Sequence, residues 1–190
     1  MRKEIIMKDW LKKKLEKIIG SRLKVGGYFE VVCRDKHGNI KWRELAENII
    51  TNEGLDAILN IMLHAATQIT TWYVALVESD TNPAAGQTYA VPVYTECTAY
   101  DEANRQEYEE AAASSQSITN SANKATFTMS DTKTIYGAAL VGGGTGGSTK
   151  GNTDGGGTLL CYAKFSASKS VEDDDTLEVT YTLSAADDGA

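Results

Sequence analysis

The sequence predicts a mainly β protein: an antiparallel β-sandwich with an N-terminal amphipathic helix, a β-hairpin and one short packed helix. Three observations lead there. Seven or eight short runs rich in β-branched and aromatic residues follow one another from Tyr28 onward, separated by turn chemistry. The last of them, Leu177 to Leu183, alternates strictly, with Leu177, Val179, Tyr181 and Leu183 on one face and Glu178, Thr180 and Thr182 on the other. Clear helical spacing of apolar residues is confined to two segments near the N-terminus.

The first helical segment runs from Glu4 to Ile19. Met7, Leu11, Leu15 and Ile18 form its apolar stripe, with Trp10 and Ile19 beside it and Lys8, Lys12, Lys13 and Lys17 on the other faces. Gly20 and Ser21 stop it. Tyr28 to Arg34 and Ile40 to Glu47 are then paired as a hairpin across the turn residues Lys36, His37, Gly38 and Asn39. Thr51 or Asn52 caps a second helix, whose wide apolar face of Leu55, Ile58, Leu59, Met62 and Leu63 is expected to pack on the sheet.

Strands are expected at Thr70 to Val77, Ala125 to Met129, Ile135 to Val141, Leu159 to Phe165 and Leu177 to Leu183. Tyr89 to Ala99 reads as an irregular edge strand because of Pro92. Asp101 to Ser117 is acidic and alanine-rich, and strand, loop and short helix all stay open for it. Residues 142–157 form a glycine-rich, low-complexity loop with no apolar side chain, expected to be flexible. The domain organisation follows: a basic helical arm over 1–24 and a sandwich over 25–190. Within the sandwich, 25–66 holds the hairpin and short helix, and 67–190 the main strands.

Charge divides along the same line. Residues 1–50 carry 13 Lys or Arg against 7 Asp or Glu, while residues 51–190 carry 6 against 19. A basic arm on an acidic body points to a negatively charged partner, a neighbouring subunit in preference to nucleic acid. The expected partner-binding residues are Met7, Trp10, Leu11, Lys12, Lys13, Leu15, Lys17 and Ile18 of the arm, with Tyr28 and Trp42 of the hairpin. No apolar run approaches the roughly 20 residues that cross a bilayer, and no signal peptide is read.

Enzymatic chemistry finds little support. Gly142, Gly144 and Gly147 match a dinucleotide-binding spacing, but the next element reads as a strand and no helix opens there to meet a phosphate. Lys150 follows Thr149, so no phosphate-binding lysine motif forms. His37 reads as a turn residue, and His64 as a partner for the helix C-terminus. Cys33, Cys97 and Cys161 are too widely spaced for a metal or redox pair and are expected to be reduced, half-buried strand residues. The run Glu172 to Asp175 lacks the spacing of a calcium loop and is read as a solvated turn, like Glu107, Glu109 and Glu110. No catalytic residue, cofactor or metal is expected.

Three phrases carry a resemblance. Asn48, Thr51, Asn52, Gly54 and Leu55 give N-x-x-T-N-x-G-L; Thr71, Trp72, Tyr73 and Leu76 give T-W-Y-x-x-L; Leu177 to Leu183 give L-x-V-T-Y-T-L. Over residues 45–184 the chain resembles small virion proteins of tailed bacteriophages, of the head-decoration or cement group. The resemblance implies a non-enzymatic, oligomeric protein of the virion, assembled in the bacterial cytoplasm, that binds the major capsid protein or other virion subunits. A tail-tube, adaptor or fibre-attachment subunit is the alternative within the particle, and a receptor- or carbohydrate-binding sandwich the alternative outside that class.

Overall fold

The computed structural model describes residues 23–187. The helix expected over 4–19, with Met7, Trp10, Leu11, Lys12, Lys13, Leu15, Lys17 and Ile18, lies outside the described residues. Two units divide the chain. Gly26–Ser184 holds the sandwich; the other unit comprises Met1–Val25 and Ala185–Ala190. Of that second unit, the described residues are the first three of β1 (Leu23–Arg34) and the last three of β10 (Thr176–Asp187). Leu23 and Lys24, assigned by sequence to the arm, are therefore strand.

The expected antiparallel sandwich is present. One sheet has the order β2 (Ile40–Glu47), β1, β10, β6 (Ser117–Thr119), with β7 (Ala125–Thr128) also paired to β10. The other runs β3 (Ile49–Ile50), β9 (Thr158–Val171), β8 (Lys133–Gly142), β4 (Trp72–Val77), β5 (Gln106–Glu107). Among the described residues these strands pair antiparallel. The hairpin forms as its turn chemistry predicts: the Asp35 carboxylate accepts from the His37 and Asn39 amides and the Asn39 side chain, and Gly38 takes a φ of 84°.

The two sheets enclose the core. Phe29, Val31 and Cys33 of β1 and Leu177, Val179 and Tyr181 of β10 are fully buried, as are Val74, Leu76, Ala138, Cys161 and Ala163 of the opposite sheet. Their alternation along each strand is the period of two that the sequence shows. Phe29 and Tyr181 bring ring centroids to 4.5 Å, and Tyr100 meets Phe127 edge-on at 4.9 Å.

A second layer covers the outer face of the β9–β8–β4 sheet, and the sequence did not predict it. Ala75, Val77, Ala139, Val141, Leu159 and Tyr162 are buried there beneath Tyr89 and Tyr94. The cover is not the strand expected over Tyr89 to Ala99. Pro92 donates no hydrogen bond and Val93 takes a φ of 67°, so among the described residues the segment pairs with β4 only through an isolated Glu96–Val77 bridge. Residues 101–117 resolve mostly into loop. They contain β5 and a two-residue turn at Ser115 and Gln116, both with positive φ, between the reciprocally bonded Ser114 and Ser117.

The glycine-rich segment, expected to be flexible, joins β8 to β9 and is held by polar bonds. Arg105 donates to the carbonyls of Gly147 and Asn152, each at 2.8 Å, and its amide donates to that of Ser148. Tyr89 donates to the Gly146 carbonyl, and Lys150 reaches back to the carbonyls of Tyr100 and Glu102. Backbone carbonyls and the Lys150 ammonium, not apolar side chains, give this loop its attachment.

Two further expectations are corrected. Asp175 is not solvated: it is 3% exposed and accepts from Lys41 at 2.6 Å and from the Glu172 amide at 2.7 Å. All three cysteines are free and wholly buried, and Cys97 lies between strands. Burial pushes the thiols of Cys33 and Cys161 up to about 12.

Glu44 supplies a pH-dependent tie between the sheets. Burial opposes its charge, yet hydrogen bonds with Lys169 and the Ser166 amide, both at 2.7 Å, prevail and hold its carboxyl below the usual range. A depressed folded value means stability present above the unfolded value of about 4.3 and lost as pH falls through the folded one. Urea unfolding at pH 7 and near pH 3.5 should show a smaller acid loss in Glu44→Gln than in the unsubstituted chain. Equal losses would remove Glu44 from the acid sensitivity.

Candidate assembly surface

The helix α1 (Asn52–Leu63) is built where the sequence places it. Thr51 is its N-cap: the side-chain oxygen accepts from the Gly54 amide at 2.9 Å, and its hydroxyl donates to the Leu159 carbonyl. Glu53 accepts from the amides of Tyr89 and Leu159, tying the first turn to both the covering layer and β9. Gly54 lets the helix backbone close on Leu160, where an added Cβ would come within 2.9 Å of the Leu160 Cα.

What this docking leaves outside is the notable feature. The wide apolar face was expected to pack on the sheet, but only Gly54 of the helix is buried, and Ile58 packs partly against the core. Leu55, Leu59, Met62 and Leu63 are 40%, 54%, 68% and 80% exposed. A sheet covers only a narrow strip of a helix docked through a glycine at its first turn, so the remaining leucines and methionine face solvent.

An apolar groove of about 430 Å³ adjoins that face. Ile58, Met62, Ile69, Trp72, Ile118 and Leu183 are among its walls, and among the described residues Glu110 is its one charged lining residue. Tyr108 and Tyr181 also line it; among the described residues their hydroxyls have no hydrogen-bond partner, and neither does the buried side-chain amide of Asn48, the residue before β3. Burial raises both tyrosine hydroxyls above their usual range, which keeps them protonated and neutral. Such a surface has no acid–base pair to offer and suits apolar side chains. Among the described residues no group of three His, Cys, Asp or Glu could hold a metal.

A family model described as "Podophage GP4 fiber I protein gp80" matches residues 48–183, well over half of the 190 residues. The chain belongs to this family. It is thus a structural protein of the phage virion, which bears out the broad resemblance carried by the three phrases. No curated protein matches the chain. The fibre family's match contains α1 and every residue lining the groove, and it excludes the arm, Tyr28 and Trp42.

The hairpin residues expected to bind a partner are not brought together. Trp42 pairs with Cys33 and Tyr28 with Glu47, which by strand alternation places them on opposite faces of the sheet. Trp42 is engaged within the fold: its indole N–H donates to the Ser170 carbonyl at 2.9 Å and its ring meets Phe165 edge-on. Tyr28 is 39% exposed. Sequence reasoning passed over the groove because its walls come from seven separate stretches of chain; the surplus width of the α1 apolar face was the one local signal.

Proposed function

We propose that this chain is a fibre-attachment subunit of a podophage particle, a non-enzymatic protein that joins other virion subunits through the α1 face and its groove. The family match carries the reading, because it spans the sandwich from β3 to most of β10 and its description names a fibre protein. It favours fibre attachment over the capsid decoration that the three phrases first suggest. The exposed leucines and methionine of α1 add a surface whose burial in an assembly would be favourable, at roughly 25 cal/mol per Å² of apolar area before association costs. Stability would then come from contacts repeated around the particle.

Immunogold labelling of purified particles, with mass-spectrometric copy counting, tests this. Label at the tail or fibre base, at a copy number matching a tail ring, is expected. Label spread over the head at the copy number of a shell lattice would replace the proposal with capsid decoration.

A further inference from the structure

We infer that the apolar groove beside α1 receives the N-terminal arm, residues 1–22, of a second copy of this chain. The inference rests on reading the groove as an assembly surface, and it names the occupant.

Chemical complementarity carries it. The groove is apolar, and beside it Leu59, Met62 and Leu63 are more than half exposed. Much of its lining comes from an acidic part of the chain: residues 51–120 hold ten Asp or Glu and a single basic residue, Arg105, and one of the ten, Glu110, lines the groove. Arg105 is already spent, its side chain 3% exposed and paired with Glu96. Among the described residues, neither Glu110 in the groove wall nor Asp56 on α1 makes an ion pair. The arm has the opposite character on both counts. It carries eight Lys or Arg against three Asp or Glu, together with an apolar stripe of Met7, Leu11, Leu15 and Ile18 flanked by Trp10. An amphipathic segment of this kind binds by laying its stripe into an apolar groove while its charged flanks meet an opposite rim.

The hinge points to exchange between copies. Only Gly20, Ser21 and Arg22 separate Ile19 from the start of β1 at Leu23, a reach of about 10 Å when extended. Short hinges favour exchange of a segment with a neighbour over folding back, and exchange makes the same contacts at little added cost.

The full chain is tested in isolation, so that the result does not depend on where the protein lies in the particle. Light scattering on a sizing column is expected to give a multiple of 20.5 kDa. The arm variant Leu11→Asp/Leu15→Asp and the groove-rim variant Leu59→Lys/Met62→Lys should each fall to the mass of one chain. Both alter residues outside the described sandwich core, and an unchanged far-ultraviolet spectrum checks that folding is kept. Carbodiimide coupling in a mixture of ¹⁴N and ¹⁵N chains should join arm lysines such as Lys13 or Lys17 to Glu110 or Asp56 in mixed-isotope pairs. A single-chain mass for the unsubstituted protein, links only within one chain, or an oligomer indifferent to both variants would each overturn the inference.

Discussion

Arg105→Met is expected to destabilise the sandwich by about 3–5 kcal/mol, the cost of breaking a buried ion pair and leaving one charge behind. Arg105 and Glu96 have side chains 3% and 7% exposed, and the guanidinium meets both carboxylate oxygens. It also donates to the carbonyls of Gly147 and Asn152 and to the Tyr89 hydroxyl. Removing it strands the Glu96 charge and releases those carbonyls from their donor. The methionine keeps the volume and cannot replace a single bond. In a chain of this length the loss corresponds to a fall in Tm of roughly 6–20 °C. A companion variant separates charge from packing. Glu96→Leu with Arg105→Met removes both charges and should recover a large part of the loss. A single variant melting within about 2 °C of the parent would show that water or a rearranged loop relieves Glu96, and would end the claim that this pair holds the glycine-rich segment.

That pair also shows where the sequence was legible and where it was not. The hairpin, α1, β4, β7, β8, β9 and β10 follow from local signals: the turn chemistry of Lys36 to Asn39, the Thr51 cap, and the alternation that buries Leu177, Val179 and Tyr181. The layer over the outer sheet has no such signal. Arg105 and Glu96 are nine residues apart, while the carbonyls that Arg105 bonds lie 42 and 47 residues on. A glycine-rich stretch with no apolar side chain reads as flexible because nothing within it marks a distant guanidinium. Tyr89 and Tyr94 likewise give no periodic pattern, since they reach the sheet from irregular backbone. The candidate site was half legible. Leu55, Leu59, Met62 and Leu63 were recognised as one face, but only the close approach of Gly54 to Leu160 decides which part of that face the sheet covers.

Gly54→Ala sets two effects of opposite sign against each other, and geometry decides between them. In an exposed helix the change would stabilise by about 1 kcal/mol through propensity. At Gly54 the new methyl would instead lie 2.9 Å from the Leu160 Cα and closer still to the Leu160 carbonyl oxygen. Both are backbone atoms of β9, a strand held between β3 and β8, so they cannot swing aside as a side-chain tip would. Crowding of this kind costs about 1–3 kcal/mol, sometimes more, and here it also pulls the Gly54 amide from Thr51 and the Glu53 carboxylate from the Tyr89 and Leu159 amides. A net loss of about 2 kcal/mol is expected, or a Tm lower by roughly 4–8 °C. Asn60→Ala, at an exposed position of the same helix, should leave Tm unchanged or slightly higher. If Gly54→Ala also melts at or above the parent temperature, the helix can shift outward at no cost, and the groove wall that Ile58 and Met62 supply is not fixed by this contact. If it melts lower while Asn60→Ala does not, the glycine is what sets the helix at the height from which its remaining apolar face is left for a partner.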